Sequence, residues 1–129
     1  MKRKIVDGIH AFAGLCTGAT VYCLFGGFWF LGGVHWLDGA PASALLRNYL
    51  PDACWAYALS FALGTVFQED VRAIWCCAAA AMACGCLWES AQALDIASGT
   101  PDGLDLLAYL AGAILSVMIK LMKKRTDKT

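Results

Sequence analysis

The chain has 129 residues, of which 60% are hydrophobic and 16% are charged, and its formal net charge is zero. Soluble domains contain about 45–50% apolar and about 25% charged residues, so a soluble domain of this length has too little interior for these side chains. The composition excludes an ordinary soluble domain, a disordered chain and, with no excess positive charge, a nucleic-acid-binding module. It indicates one small membrane domain, residues 1–129.

Four apolar stretches approach or exceed the length that crosses a bilayer, which is about 20 mostly apolar residues. We predict that they form helices over residues 9–30, 51–68, 71–93 and 101–122. The third stretch has no polar stripe at helical spacing between Ala73 and Trp88, a pattern typical of a membrane span and not of a soluble bundle helix. The sequence therefore predicts an all-α integral membrane protein with four transmembrane helices.

Local residue chemistry predicts where two of these helices begin. Thr100, Pro101 and Asp102 are typical of a helix start, with Thr100 as the cap, proline at the first helical position and an acid in the first turn. Pro51 is likewise followed by an acid, so we expect the second helix to begin there. Residues 37–50 then form the one long connection, with one or two interfacial helical turns in its second half.

The N-terminus also has features of a signal peptide, because basic residues precede an apolar run and Ala40-Pro41-Ala42 resembles a cleavage site. The apolar run is much longer than the 7–15 residues of a signal-peptide core. We therefore expect a retained helix.

The placement of lysine and arginine predicts the orientation, because these residues concentrate on the cytoplasmic side of a membrane. With four spans, both termini lie on one side, and that side holds nine of the ten basic residues: Lys2, Arg3, Lys4, Arg72, Lys120, Lys123, Lys124, Arg125 and Lys128. We therefore predict that both termini face the cytoplasm (N-in, C-in) and that Arg47 is outside. The outer side then holds six of the ten acids: Asp38, Asp52, Glu89, Asp95, Asp102 and Asp105.

The candidate functional residues lie together at the corner between the third and fourth helices. Glu89 lies within the outer third of the third helix, where an ionisable side chain is costly and is by default a functional candidate. Gln92 is three residues further on and shares its helix face. Asp102 and Asp105 have the same spacing at the start of the fourth helix. We therefore expect the two polar faces to meet near the outer membrane surface.

A close pair of carboxyl groups is compatible with several chemistries. If their pKa values are pushed apart, one group acts as an acid and the other as a base. The pair also suits a substrate amine or, more weakly, a divalent cation, although the sequence has no metal-binding motif. The structural alternatives are Asp102 as a helix-start acid, worth about 0.3–1 kcal/mol, and Glu89 with Gln92 as a hydrogen-bonded lock between helices.

Two further residues have competing interpretations, and two sequence patterns have one interpretation each. His35, near the outer end of the first helix, either joins the acidic cluster as a base or ligand or is an interfacial residue without a role. Trp88 either belongs to the aromatic belt or forms a wall of the site. The seven cysteines lie mostly within predicted spans, so we interpret them as small buried hydrophobic residues, and their odd number argues against a full disulfide framework. The Gly14-x-x-x-Gly18 spacing predicts a close helix contact.

The corner resembles the signature of the VanZ-like membrane protein family. That signature has a glutamate and a glutamine at the end of one helix, here Glu89 and Gln92, and aspartates at the start of the next, here Asp102 and Asp105. Gly112 fits the glycine that follows. The resemblance covers residues 87–120, and the rest of the chain shares only the four-span pattern.

Two positions depart from the family pattern. Tyr109 stands where the family has an asparagine, and Ser98-Gly99 stands where an arginine is common. We therefore expect no role at these positions that needs an amide or a guanidinium group.

The resemblance implies a multi-pass protein of the bacterial cytoplasmic membrane, in a family whose founding member is linked to low-level teicoplanin resistance. From it we expect the acidic outer site to bind or modify the headgroup of a membrane lipid or lipid-linked cell-wall precursor, with an effect on glycopeptide susceptibility. The candidate catalytic residues are Glu89 and Asp105, and the candidate substrate-binding residues are Gln92, Asp102, His35 and Trp88. No cofactor is expected. The alternatives are a binding or assembly module without turnover and a small transporter formed by several copies of the chain.

Overall fold

Four long helices make up the computed structural model over the residues that it describes, which are 2–26, 41–67 and 70–126. These helices are α1 (Lys2–Val21), which continues as a π-helical turn (Tyr22–Gly26), α2 (Pro41–Val66), α3 (Val71–Ala93) and α4 (Gly103–Thr126). Because these described residues contain no β-strand, the all-α prediction is confirmed for them.

Two of the helices, α3 and α4, are long and apolar enough to cross a membrane. The outer surface of the bundle also carries many large apolar side chains, among them Phe12 on α1, Leu87 on α3 and Met122 on α4, which are 71%, 69% and 64% exposed. Large apolar side chains exposed on all sides of a bundle suit a lipid environment, where lipid covers them. The apolar character of α3 and α4 therefore agrees with the membrane class, and the crossing of α1 and α2 stays a prediction.

The start of α2 differs from the prediction. The helix begins at Pro41, ten residues before the predicted start, and Pro51 lies inside it. The residues before Pro51 include Ala44, Leu45 and Leu46, which favour helix, and a proline in a helix removes one backbone hydrogen bond without ending the helix in every case. The predicted long connection is therefore wrong from Pro41 onward, because those residues belong to α2.

The start of α4 also differs from the prediction. The helix begins at Gly103, and the Asp102 Oδ1 atom accepts a hydrogen bond from the backbone N–H of Leu104 at 3.0 Å. Asp102, and not Thr100, therefore caps α4, because its carboxylate reaches a backbone donor of the first turn that has no partner within the helix. The predicted position of Asp102 inside the first turn is wrong by one residue.

Helix α2 packs against the other three helices, and α4 packs against both α2 and α3. Glycines allow close approach at these contacts. A Cβ atom on Gly14 of α1 would lie 2.9 Å from Tyr57 Cδ1, and a Cβ atom on Gly112 of α4 would overlap the backbone oxygen of Ala53. Gly18 also lies against α2, as its spacing from Gly14 suggests.

A buried charged cluster lies at the end of the bundle where α1 begins and α4 ends. Asp7 on α1 is 1% exposed, and its Oδ1 atom is 3.6 Å from Lys123 Nζ on α4. Lys120 on α4 is buried, donates to the backbone oxygen of Ser60 at 2.9 Å and lies 4.7 Å from the centre of the Phe61 ring. These contacts connect α1, α2 and α4. The sequence patterns did not predict this cluster.

Candidate functional site

A cavity of about 450 Å³ lies at the opposite end of the bundle, where α3 meets α4. We refer to it as the acidic cavity, because four carboxylic acid residues and only one basic residue line it. The acids come from α2, α3, α4 and the residue before α4. The lining residues are Tyr22, Arg47, Asn48, Asp52, Trp88, Glu89, Gln92, Thr100, Asp102, Asp105 and Tyr109.

Glu89 connects α3 to α4 at the wall of this cavity. Its side chain is buried, with 8% of the residue exposed. The Oε2 atom accepts a hydrogen bond from the backbone N–H of Asp102 at 3.1 Å, and the Oε1 atom accepts a longer one from the Tyr109 hydroxyl at 3.4 Å. Glu89 therefore makes a helix-to-helix contact and also lines the cavity, and its functional role stays a prediction.

Tyr109 reaches Glu89 because α3 has a glycine one turn before the glutamate. The Tyr109 ring packs against Gly85, where a Cβ atom would lie 2.5 Å from the ring atom Cδ2. Trp55 of α2 makes an edge-on contact with the same ring, with 6.0 Å between the ring centres. The aromatic residue at the position of the family's asparagine thus places a hydroxyl, and not an amide, beside Glu89.

Asp102 holds three parts of the site together. Its Oδ1 atom caps α4, its backbone N–H donates to Glu89, and its Oδ2 atom accepts a hydrogen bond from the Tyr49 hydroxyl of α2 at 2.9 Å. The hydrogen bond to Asp102 raises the pKa of Tyr49, so the phenol stays protonated and remains a donor. Asp102 therefore orients neighbouring groups in addition to lining the cavity.

Gln92 faces both the cavity and the corner between α3 and α4. Its Nε2 atom donates to the backbone oxygen of Ser98 at 3.2 Å. Its Oε1 atom is buried, and no donor among the described residues reaches it. The amide packs over Gly99, whose φ of +132° is a backbone conformation that other residues rarely adopt. Gln92 therefore stabilises the corner through Ser98, while its oxygen is buried without a donor among the described residues.

The remaining predicted site residues fall into two groups. Trp88 and Asp105 line the acidic cavity; Trp88 is 52% exposed, and Asp105 lies in the first turn of α4. His35 lies in residues 27–40, outside the described residues, so its role stays a prediction.

The structure adds site residues that the sequence analysis did not select. Asp52, Arg47 and Asn48 reach the acidic cavity from α2, and Tyr22 reaches it from the π-helical turn. Asn48 and Asp52 are four residues apart, which is a helical spacing in an otherwise apolar stretch. That signal was hidden because α2 was predicted to begin at Pro51.

Two mostly apolar cavities adjoin the acidic one. The first has a volume of about 470 Å³ and is lined by Asp52, Trp55, Cys84, Trp88 and Tyr109. The second has a volume of about 310 Å³ and is lined by Leu15, Gly18, Ala19, Tyr22, Pro51, Asp52 and Trp55. Asp52 lines all three cavities, and Trp55 lines both apolar ones. The site thus combines a polar chamber with apolar surface on two sides.

The structure also shows the state of the cysteines and tests for groups of metal-binding side chains among the described residues. All seven cysteines are free thiols, but the prediction that they are buried is wrong for Cys16, Cys76, Cys84 and Cys86, which lie on outward faces of their helices and are exposed; Cys77 is buried. Within the described part of the chain, no three His, Cys, Asp or Glu side chains are arranged to hold a metal ion. The polar groups that line the acidic cavity are carboxyl, hydroxyl, amide and guanidinium groups.

No protein-family model, curated protein or solved structure matches this chain. The resemblance of the corner to the VanZ-like signature therefore stays a prediction.

Proposed function

We propose that this chain is a four-span protein of the bacterial cytoplasmic membrane that binds the headgroup of a membrane lipid or lipid-linked cell-wall precursor in the acidic cavity. The observation that carries the proposal is the junction at Asp52, where the acidic cavity meets two apolar cavities. An amphiphile has a polar and an apolar part, and this site has adjacent surfaces for both.

The charge distribution along the bundle supports an outer location for this site. The last turn of α4 carries Lys123, Lys124 and Arg125, and Arg72 is in the first turn of α3, so this end of both helices is basic. Basic residues favour the cytoplasmic side. The acidic cavity is at the other end of α3 and α4, which corresponds to the outer leaflet.

The lining of the acidic cavity favours a headgroup with an amine and a phosphate. Four carboxylic acids in one cavity repel one another when ionised, and a bound ammonium group relieves that repulsion. Arg47 offers planar donors that fit phosphate oxygens.

If the protein turns its ligand over, Glu89 and Asp105 are the proposed acid–base pair. Hydrolysis of a phosphate ester would have one carboxylate take a proton from the attacking water while the other carboxylic acid protonates the leaving oxygen. Binding without turnover is the second candidate function. It is favoured by the hydrogen bonds of Glu89, because both of its oxygens already accept from α4 or the residue before it.

The proposal is tested by measuring lipids that remain bound to the purified protein, using native mass spectrometry. We expect one headgroup class to be retained by the wild type and by Asp95→Asn, a matched acid-to-amide change at an exposed position of the corner. Glu89→Gln and Asp52→Asn should each lower the occupancy at least roughly tenfold, since a hydrogen bond to a charged group is worth about 1.5–3 kcal/mol. No retained headgroup class, or equal loss in Asp95→Asn, would reject the site.

Turnover is tested separately by mass spectrometry of membrane lipids and cell-wall precursors. The cells carry the wild type, Glu89→Gln or no protein. A species made or consumed only with the wild type identifies an enzyme. Identical profiles together with a retained lipid identify a binding module, and teicoplanin susceptibility of the same three strains then tests the link to glycopeptides.

A further inference from the structure

The end of the bundle opposite the acidic cavity carries a groove that the proposed function does not use. The groove has a volume of about 410 Å³ and lies between the start of α3 and the last turns of α4. We refer to it as the basic-end groove. Its lining combines four apolar side chains with two cationic ones: Val71, Met118, Leu121, Met122, Lys124 and Arg125.

The apolar part of this groove faces outward. Val71, Met118 and Met122 are 46%, 54% and 64% exposed, so the bundle itself does not cover them. Leu121 forms the inner side, where it packs against the cluster of apolar residues between α3 and α4. An exposed apolar surface of this type favours an apolar occupant. The volume of the groove suits part of an acyl chain.

The surroundings of the groove are basic. Arg72 follows Val71 in the first turn of α3 and adds a third basic residue to the two that line the groove. The acids at this end of the described residues are already engaged. Asp70 caps α3 by accepting from the backbone N–H of Ala73, and Asp7 lies beside Lys123. A negatively charged occupant is therefore favoured over a neutral one.

We infer that the basic-end groove binds an anionic phospholipid of the inner leaflet. Its acyl chain would lie along Met118 and Met122, and its phosphate would lie beside Lys124 and Arg125. Basic pockets between transmembrane helices on the cytoplasmic side recognise anionic headgroups by this combination of charge and apolar contact. A zwitterionic lipid gains the apolar contact but less of the electrostatic attraction.

This inference rests on the membrane orientation in the proposed function but not on the acidic cavity. Glu89 is 18 residues beyond Val71 in α3, which at 1.5 Å per residue places the two sites about 27 Å apart along the helix. A variant at one site therefore leaves the lining of the other unchanged.

The test is native mass spectrometry of the purified full chain in neutral detergent, titrated with dioleoylphosphatidylglycerol or dioleoylphosphatidylcholine. We expect tighter binding of phosphatidylglycerol. The double variant Lys124→Gln/Arg125→Gln should weaken that binding by about thirtyfold, because each cation near the headgroup contributes about fivefold. The matched control is Lys2→Gln/Lys4→Gln, which removes the same charge from α1 at the same end of the bundle and should change the affinity by less than about twofold.

A second variant tests the apolar half of the groove without changing charge. Met122→Trp fills the groove, so it should also weaken phosphatidylglycerol binding. Asp95→Asn, at an exposed position of the opposite end, should leave it unchanged. Lys124→Gln/Arg125→Gln should still retain the headgroup class of the acidic cavity, which separates this result from a failure of the outer site. Equal binding of the two lipids, equal loss in the α1 control, or full binding by Met122→Trp would each overturn the inference. Binding of free glycerol phosphate as tight as that of phosphatidylglycerol would also overturn it, because the acyl chain would then add nothing to the affinity.

Discussion

Gly85 and Tyr109 show how one small residue shapes the candidate site. The ring of Tyr109 occupies the space that a side chain at residue 85 would fill, and its hydroxyl then reaches Glu89. Since Tyr109 is 4% exposed and Trp55 contacts the ring, the ring has little room to move. The position of the Glu89 carboxylate therefore depends on a residue that has no functional group.

We expect Gly85→Ala to destabilise the protein and to lower lipid retention in the acidic cavity. The added methyl group forces the Tyr109 ring away from α3, and such overpacking costs about 1–3 kcal/mol. Thermal unfolding in detergent and native mass spectrometry measure the two effects. The control is Gly8→Ala on α1, where a Cβ atom meets nothing within 4 Å and alanine favours the helix. Equal unfolding temperatures for the two variants would contradict the packing argument.

Individual residues differ in how far the sequence predicts them. Glu89 is recognisable from sequence because a charged residue inside an apolar helix is costly without a partner. Asp52 is not recognisable as a site residue from sequence. It follows Pro51, and an acid after a proline is typical of an ordinary helix start. Only the continuation of α2 back to Pro41 shows that Asp52 lies inside a helix and lines the same cavity as Glu89.

At the level of helices, the buried charges join α1 to α4. The Asp7 side chain lies beside Lys123, and a Cβ atom on Gly64 of α2 would be 3.2 Å from Asp7 Oδ2 and would overlap Lys120 Nζ. The small residue at position 64 therefore leaves space in α2 for charged groups from both neighbouring helices. Removing one member of a buried charged group costs more than replacing the whole group.

We expect Asp7→Asn to destabilise the bundle by about 3–5 kcal/mol, because the positive charges of α4 then lack a buried counter-charge. Lys120→Met should destabilise the bundle by a similar amount, because the negative charge of Asp7 then loses a nearby positive charge. The double variant should recover part of the lost free energy of unfolding, because Asp7 and Lys120 are then both neutral and neither leaves the other's charge unbalanced. Circular dichroism during thermal unfolding measures all three, with the exposed Lys4→Met as the control. Strictly additive effects in the double variant would show that Asp7 and Lys120 are not coupled.

For the molecule as a whole, the separation of charge predicts one topology. The basic residues lie at one end of α3 and α4 and the acidic cavity lies at the other. With four spans, this separation predicts that both termini lie in the cytoplasm.

We expect a green fluorescent protein fused to the C-terminus to fluoresce in cells and alkaline phosphatase fused there to be inactive. Alkaline phosphatase fused after Gly99, at the corner between α3 and α4, should be active because that corner is expected outside. A fusion after Phe67 serves as the control, since the end of α2 is expected inside and the enzyme should be inactive there. Phosphatase activity at the C-terminus would contradict the predicted topology.

The sequence by itself determined the helical class, the apolar character of α3 and α4 and the polar corner that joins them. These features depend on residues close together in the chain, so local hydrophobicity, spacing and turn chemistry are sufficient to predict them. The tertiary structure alone decided that Asp52 and Arg47 share a cavity with Glu89, that Tyr109 fills the space above Gly85 and that Asp7 meets the end of α4. Those contacts depend on how each helix is rotated against its neighbours, and that rotation follows from the packing of glycines and side chains far apart in sequence.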